Sequence, residues 1–573
     1  MKRIKELIFI FIMLMSFSAC FNNDNSSLIN SSLSSSSSSS EVKKDYIKDE
    51  EGFFILEDDY FKNTSKEDGK NISKVRYSKT LDESLKYKQL RMFIGEDEVP
   101  VMNTKTNMSQ TWNGEAPSRM NNAVSIIELE GKIEVKLQAN FALLGECVIR
   151  PLSAKITPKI DENRRVISFE ISSPGQYTVE LRSKRTFHLF VNEYKEYEKY
   201  KNESNVLYFG PGLHTKDNSK YIGGDSKIYV SDYQTVFLDL GAVVQAAFFA
   251  NSRSNVKIVG SGIVDGSVFS RSVANGTTKV PFEFNYCSNL LFDGIAMLDP
   301  AGWCYNLYFC NNVELNNIKI ISSRSNGDGV SVQSCQNVTC KNSFVRSWDD
   351  SLVVKNYPRW DNRSIHGTTK NIVFENCIIW TDLAQSMEVG YETVGQVMED
   401  ITFNNITVLH NFHKAVISIH NANNANLKKV KFKNITVEDC STGQGDGNNI
   451  FIDIANIFSN NWSTNHTITS LGSIDGVEVE NVKVIDGNDN PLVNVSGTID
   501  NRKEYNNSYH YVNNVLFKDV IIKDKILDKN YSNLNINLAN NITFERTSKD
   551  IVGASINYKD SSSYGSNYQV ESI

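Results

Sequence analysis

Several marks of large protein classes are missing from this 573-residue chain. Proline is scarce, 10 residues in all, which argues against Pro-rich linkers and extended disorder over most of its length. There is no basic stripe, and 60 Lys and Arg are outnumbered by 67 Asp and Glu for a net charge of −7. A phosphate backbone would find no track to follow, so the composition speaks against nucleic acid as a partner. The nine cysteines include no Cys-x-x-Cys pair and no Cys/His cluster at zinc spacing, so no metal site is expected. Asn-Gly and Asp-Gly turn signals do not recur at regular spacing, which disfavours a propeller or an array of hairpins.

What is present is 40% hydrophobic and 10% aromatic, enough for a large core in more than one domain. Residues 1–20 carry a positive start (Lys2, Arg3, Lys5), an apolar stretch from Leu7 to Ser18, and Phe17-Ser18-Ala19-Cys20, which resembles the lipobox of bacterial lipoproteins. They predict an exported chain lipidated at Cys20, on the cell surface or secreted, touching the membrane only through that anchor. Residues 21–45 contain a Ser/Asn run that reads as a flexible tether. Residues 46–84 show no clear period. From 85 to 204, runs such as Ile133-Glu134-Val135-Lys136-Leu137 and Phe187-His188-Leu189-Phe190-Val191 alternate with period two, which predicts the half-buried antiparallel strands of a β-sandwich.

Beyond residue 205 the chain repeats. The unit is Asn-Val/Ile-x-Phe-x-Asn-Ile/Val, as in Asn371-Ile372-Val373-Phe374-Glu375-Asn376-Cys377 and Asp400-Ile401-Thr402-Phe403-Asn404-Asn405-Ile406. Its first apolar position recurs at 256, 290, 313, 338, 372, 401, 430, 477, 515 and 542, the pattern of stacked coils with loops of variable length. An all-β fold is expected, a right-handed parallel β-helix over 205–550 behind the sandwich, with 551–573 as a tail. The Asn after Phe (317, 342, 376, 405, 434, 481) belongs at a corner, where it tolerates left-handed backbone and can build an amide ladder. The cysteines left after Cys20 are even in number, and export permits disulfides. Cys340 and Cys377, however, fall at apolar positions of the repeat and suit buried free thiols.

A β-helix does not dictate an activity; the site must. Ser325-Asn326-Gly327-Asp328-Gly329 is followed one coil later by Ser347-Trp348-Asp349-Asp350-Ser351. Asp328 and Asp349 stand 21 residues apart, near a minimal coil, so three carboxylates should converge on adjacent rungs. Like charges at short range raise one another's pKa, a cost that makes sense where an acid must stay protonated beside a base that does not.

These segments, with Ile379-Trp380 and Met387-Glu388-Val389-Gly390-Tyr391, resemble glycoside hydrolases of the pectin-lyase-like β-helix clan, families 28 (polygalacturonases) and 49 (dextranases and isopullulanase). The preceding sandwich is similar to family 49 in particular. The resemblance implies that Asp349 is the general acid, that Asp328 and Asp350 activate water, and that the anomeric carbon is inverted. No cofactor is required for that chemistry. Polygalacturonases carry Gly-His-Gly and then Arg-x-Lys for the substrate carboxylate. Here Glu388-Val389-Gly390 and His413-Lys414 stand instead, which favours a neutral glucan such as dextran over galacturonan. Substrate contacts are expected from Trp303, Trp348, Trp380, Tyr391 and Glu388, and from Arg324, Lys355 and His413. Tyr305, Trp360 and His366 are further candidates. A pectin hydrolase of the polygalacturonase type and a non-catalytic glycan-binding β-helix remain open alternatives. A polysaccharide lyase would reveal itself by an unsaturated product.

Overall fold

The computed structural model describes residues 47–57, 60–61, 73–112, 119–271, 279–357, 367–457, 471–502 and 507–547, with the backbone of two strands, Ala554–Tyr558 and Tyr568–Ser572. Residues 1–46, with Cys20 and the tether, lie outside them, as do Trp360 and His366.

The repeat is a parallel β-helix. One coil runs through Asn311–Asn316, Lys319–Ile321 and Val330–Gln333, and the next through Gln336–Lys341, Phe344–Ser347 and Leu352–Asn356. Every apolar position named from the repeat meets its successor in register, from Val256 with Leu290 and Val313 through Val338, Ile372, Ile401 and Val430 to Val477, Val515 and Ile542. All are buried. Two residues on, Phe374, Phe403 and Phe432 stack with centroids 4.9 Å apart, which is why the repeat keeps an aromatic there. Ile401→Ala should therefore lower the stability of the chain by about 2–5 kcal/mol, read from the urea midpoint, because the coils above and below hold the cavity open.

The corner asparagines adopt left-handed backbone, with φ between 51° and 55° at 317, 342, 376, 405, 434 and 481. Asn376 donates to Asn342 (3.3 Å), Asn405 to Asn376 (2.7 Å) and Asn481 to Asn434 (2.7 Å). Asn317 departs from the ladder and donates to Asn192 and Tyr197 of the preceding domain. A second ladder uses the first Asn of the repeat: Asn289 donates to Asn255, Asn312 to Asn289, and Asn371 to Asn337. The eight described cysteines are all free, so none of the disulfides that export permits is formed among them.

The preceding domain has two sheets. One joins Lys74–Tyr77, Met102–Asn107, Arg119–Glu130, Arg185–Glu193, Gly175–Leu181 and Cys147–Arg150, and the other Asp97–Val99, Leu90–Ile94, Ile133–Ala139, Val166–Ile171 and Lys159–Asp161. Val135, Leu137 and Phe169 pack against Ile127, Val179, Phe187 and Leu189 between them. Two expectations change. Arg185–Glu193 pairs parallel with Arg119–Glu130, and it is buried on both faces along Thr186–Asn192, not on one. The reason is the neighbour: Val124 and Phe190 press on the second strands of the coils, through Val243, Ile263, Ile321, Phe344, Trp380 and Leu409. Positions that alternate as though facing water face the β-helix instead.

Candidate active site

The third strands of the coils form an eleven-stranded sheet. Val330, Leu352, Met387, Ile417 and Ile452 point into the core. The next residues, Ser331, Val353, Glu388, Ser418 and Asp453, line up in register and alternate to the outer face. The carboxylates sit on the turns that lead into this sheet. Because Val330 pairs with Leu352, Asp328 lies in line with Asp350, and Asp349 falls one residue short. The backbone confirms that register, with Gly329 N–H donating to the Asp350 carbonyl at 2.8 Å. Only glycine fits at 329: a Cβ there would lie 2.4 Å from the Ser351 carbonyl oxygen.

Backbone donors aim the carboxylates. Asp349 accepts from Asn326 N–H and from Asp350 N–H, one on each oxygen and both at 3.0 Å. Asp350 Oδ1 accepts from Gln385 N–H on the following coil at 3.1 Å. Beneath them a line of hydroxyls runs Ser347, Ser351, Thr381, Ser386 at 2.7 to 2.8 Å, which fixes the turn from coil to coil. Lys355 Nζ stands among the acids, 3.1 Å from Asp328, 3.6 Å from Glu392 and 3.9 Å from Asp350.

All of these groups are buried, and their titration follows. Burial, and then the charge of Asp328, push Asp349 up to about 7. Burial and Asp349 push Asp350 well above the usual carboxylate range. Burial also raises Asp328, against the pull of Lys355. Burial opposes the charge on Lys355, but Asp328, Glu392 and Asp350 outweigh it and keep the ammonium protonated. The three aspartates therefore titrate as one group, in which Asp328 has the nearest cation and Asp349 with Asp350 retain protons near neutrality. A second cluster lies on the same face. His420 sits between Glu388 Oε1 (2.9 Å) and Asp453 Oδ2 (3.1 Å), and Ser418 donates to Glu388. Burial works against an imidazolium there, yet the two carboxylates hold the His420 pKa well above its ordinary value.

The structure sorts the residues named from the sequence. Asp328, Asp349, Asp350 and Lys355 are brought together. Trp303 joins them, its ring centroid 5.1 Å from Lys355 Nζ. Glu388 and Tyr391 stand at His420, Tyr391 with its ring centroid 5.9 Å from the imidazole. Five of the candidate contacts are engaged by the protein itself. Trp348 is wholly buried and donates its indole N–H to Ser109 of the sandwich at 3.1 Å. Trp380 lies under Arg346 at 3.9 Å, in the seam between the domains. Arg324 is spent on Asp299 and on the carbonyls of Ser267 and Phe269. His413 is buried between the Leu383 carbonyl and Asp446. Tyr305 stacks on Phe282 at 4.2 Å inside the core. Glu392, His420 and Asp453 were not singled out from the sequence. For His420 the available signal was the alternation Ile417-Ser418-Ile419-His420, which turns Ser418 and His420 outward once the isoleucines are placed in the core.

Residues 238–484, which hold both clusters, match the model of glycosyl hydrolases family 28. No curated protein sequence matches the chain. Among solved structures the chain is similar to Dex49A from Penicillium minioluteum, with TM-score 0.52 and 13% identity over 78% of this chain and 91% of that one. It also matches a hyperthermoactive exopolygalacturonase from Thermotoga maritima (TM-score 0.40, 15% identity, 61% and 86% covered) and a family 28 exopolygalacturonase from Yersinia enterocolitica (0.41, 14%, 74% and 95%). The chain is a β-helix glycosidase, a polysaccharide hydrolase similar over residues 238–484 to family 28.

Proposed function

We propose that this glycosidase cleaves a neutral glucan, of which dextran is the first choice, with inversion at the anomeric carbon. The observation that carries the substrate class is the charge of the two clusters. Even with Asp349 and Asp350 protonated, Asp328, Glu388, Glu392 and Asp453 outnumber the cations Lys355 and His420, and both cations are already engaged by carboxylates. A uronate would add a buried anion with no free partner, which is expensive at low dielectric. The repulsion belongs to the whole cluster rather than to Glu388 alone, since His420 balances that residue.

Asp349 is the general acid: a carboxyl near pKa 7 is still substantially protonated at neutral pH and can donate to the leaving oxygen. Asp328, with Lys355 at 3.1 Å to favour its charge, is the base for the attacking water, and the carboxyl of Asp350, raised by burial, positions that water by hydrogen bonding. Trp303 borders the same space and offers a ring to a sugar. The positive start, apolar stretch and Cys20 support export and lipid anchoring, which would set the enzyme beside polymers outside the cell.

Reducing-sugar release should be measured on dextran, pullulan, polygalacturonate and carrageenan. The expected result is turnover at least about tenfold better on a neutral glucan than on polygalacturonate, a difference of about 1.4 kcal/mol in transition-state binding. Selective cleavage of polygalacturonate would overturn the substrate class. Binding without turnover on every polymer would favour the non-catalytic reading.

A further inference from the structure

The segment that follows the sandwich strand Met102–Asn107 crosses onto the catalytic turns. Ser109 accepts the Trp348 indole N–H, one residue before Asp349. Asp446 N–H donates to the Gln110 carbonyl at 3.2 Å, and Asp446 Oδ2 accepts from Trp112 N–H at 3.4 Å. The fit leaves no room for a side chain at 445, where a Cβ would lie 1.9 Å from the Gln110 oxygen. The segment carries Trp112, whose ring meets Trp348 at 6.1 Å and 70° and His413 at 6.2 Å and 78°. His413 is in turn tied to the Leu383 carbonyl, two residues before Gln385, whose N–H holds Asp350. Despite these contacts Trp112 is 43% exposed, whereas Trp348 is wholly buried.

We propose that Trp112 is a sugar-stacking platform, so that the N-terminal sandwich supplies part of the substrate cleft and helps to set specificity. A lone exposed aromatic is ordinarily unremarkable. This one is held through its backbone and by two near-perpendicular aromatic contacts, beside the turn that carries the proposed acid. A ring fixed in place loses little freedom when a pyranose covers it, and its apolar face suits the C–H face of a sugar unit lying next to the one being cleaved. The uncharged platform suits a neutral glycan, and to that extent the inference rests on the proposed function.

Kinetics of Trp112→Ala and Trp112→Phe on dextran test it, with the thermal midpoint followed in parallel. The expected result for Trp112→Ala is a KM raised about tenfold with kcat within a factor of two, and recovery of most of the loss in Trp112→Phe. An unchanged KM overturns the proposal, and so does a fall in kcat at constant KM, which would mean that Trp112 only buttresses Trp348. Should the wild type cleave polygalacturonate alone, the neutral-glucan reading falls by itself. A raised KM for polygalacturonate in Trp112→Ala would still support the platform, and an unchanged one would overturn it. Should no polymer be cleaved, electrophoresis through gels containing dextran, pullulan or polygalacturonate decides: weaker retardation of Trp112→Ala than of wild type supports the platform, and equal mobility in every gel overturns it.

Discussion

Asp349→Asn should slow hydrolysis of the polymer by roughly 10²–10⁴-fold, the usual worth of a positioned general acid. The amide matches the carboxylate in shape but has no acidic proton for the leaving oxygen. It also faces two backbone donors, Asn326 N–H and Asp350 N–H, with one carbonyl oxygen, so one of them loses its acceptor. A thermal midpoint is needed alongside the rate to separate that loss from the chemical one. Three readouts distinguish the acid from a merely structural aspartate. Substrates with good leaving groups need less protonation and should suffer less. Wild-type kcat/KM should fall as pH rises through about 7, where the aspartate cluster with Asp349 gives up its proton, and that alkaline limb should shift or flatten in the variant. Under the proposed mechanism, in which a water held by Asp328 and Asp350 attacks in a single step, proton NMR of the first-formed product should show the inverted anomer. Inverting pairs stand about 6.5–9.5 Å apart, against roughly 5–5.5 Å for retaining ones. Retention, or an undiminished Asp349→Asn enzyme, would mean that these roles are wrongly assigned.

Much of the β-helix was legible because each coil stacks on the last. A Val or Ile that must contact its counterpart one rung away leaves a mark in every repeat, and so does an Asn that must turn a corner at φ near 53°. Asp328, Asp349 and Asp350 were legible for the same reason, since the coil between them is short. Their order was not. Counting residues from Asp328 lands on Asp349, whereas the strand register sets Asp350 in line with it, and only the pairing of Val330 with Leu352 shows this. His420 and Asp453 lie on coils separated by longer loops, where spacing carries no register and an outward polar residue is indistinguishable from a solvated one.

The largest misreading was at the seam. Trp348, Trp380 and His188 have the types and positions of exposed or ligand-facing residues on an isolated β-helix or sandwich, and each is buried because the two domains cover one another. Periodicity reports the face of a strand and says nothing about what lies against that face. Trp112 is the converse case, a residue of the sandwich carried onto the turns of the β-helix by contacts far apart in sequence.

That seam also carries the largest expected stability effect. Arg346 and Asp382 are wholly buried, with Nε 3.2 Å from Oδ2 and the guanidinium 3.9 Å above the Trp380 ring. Arg346 reaches across to Thr186 of the sandwich at 3.0 Å, and the Trp380 indole N–H fills a remaining site on Asp382 at 2.9 Å. His188 beside them adds no second positive charge: burial, with Arg346 close by, holds its pKa well below the ordinary value and keeps it neutral. Asp382→Ala would strand a guanidinium that cannot lose its proton in a dry interface, and should cost about 3–5 kcal/mol. The pair as a whole is worth far less than that, since each ion gave up its hydration to form it. Replacing both, as Arg346→Met with Asp382→Leu, should therefore recover most of the loss. Urea unfolding of the two single variants and the double variant gives the coupling directly, and because the pair is out of reach of counterions it should change little between low and high salt. A loss below about 1 kcal/mol in Asp382→Ala, or a double variant no better than the single, would mean that water enters the seam and the domains are held by their apolar contacts alone.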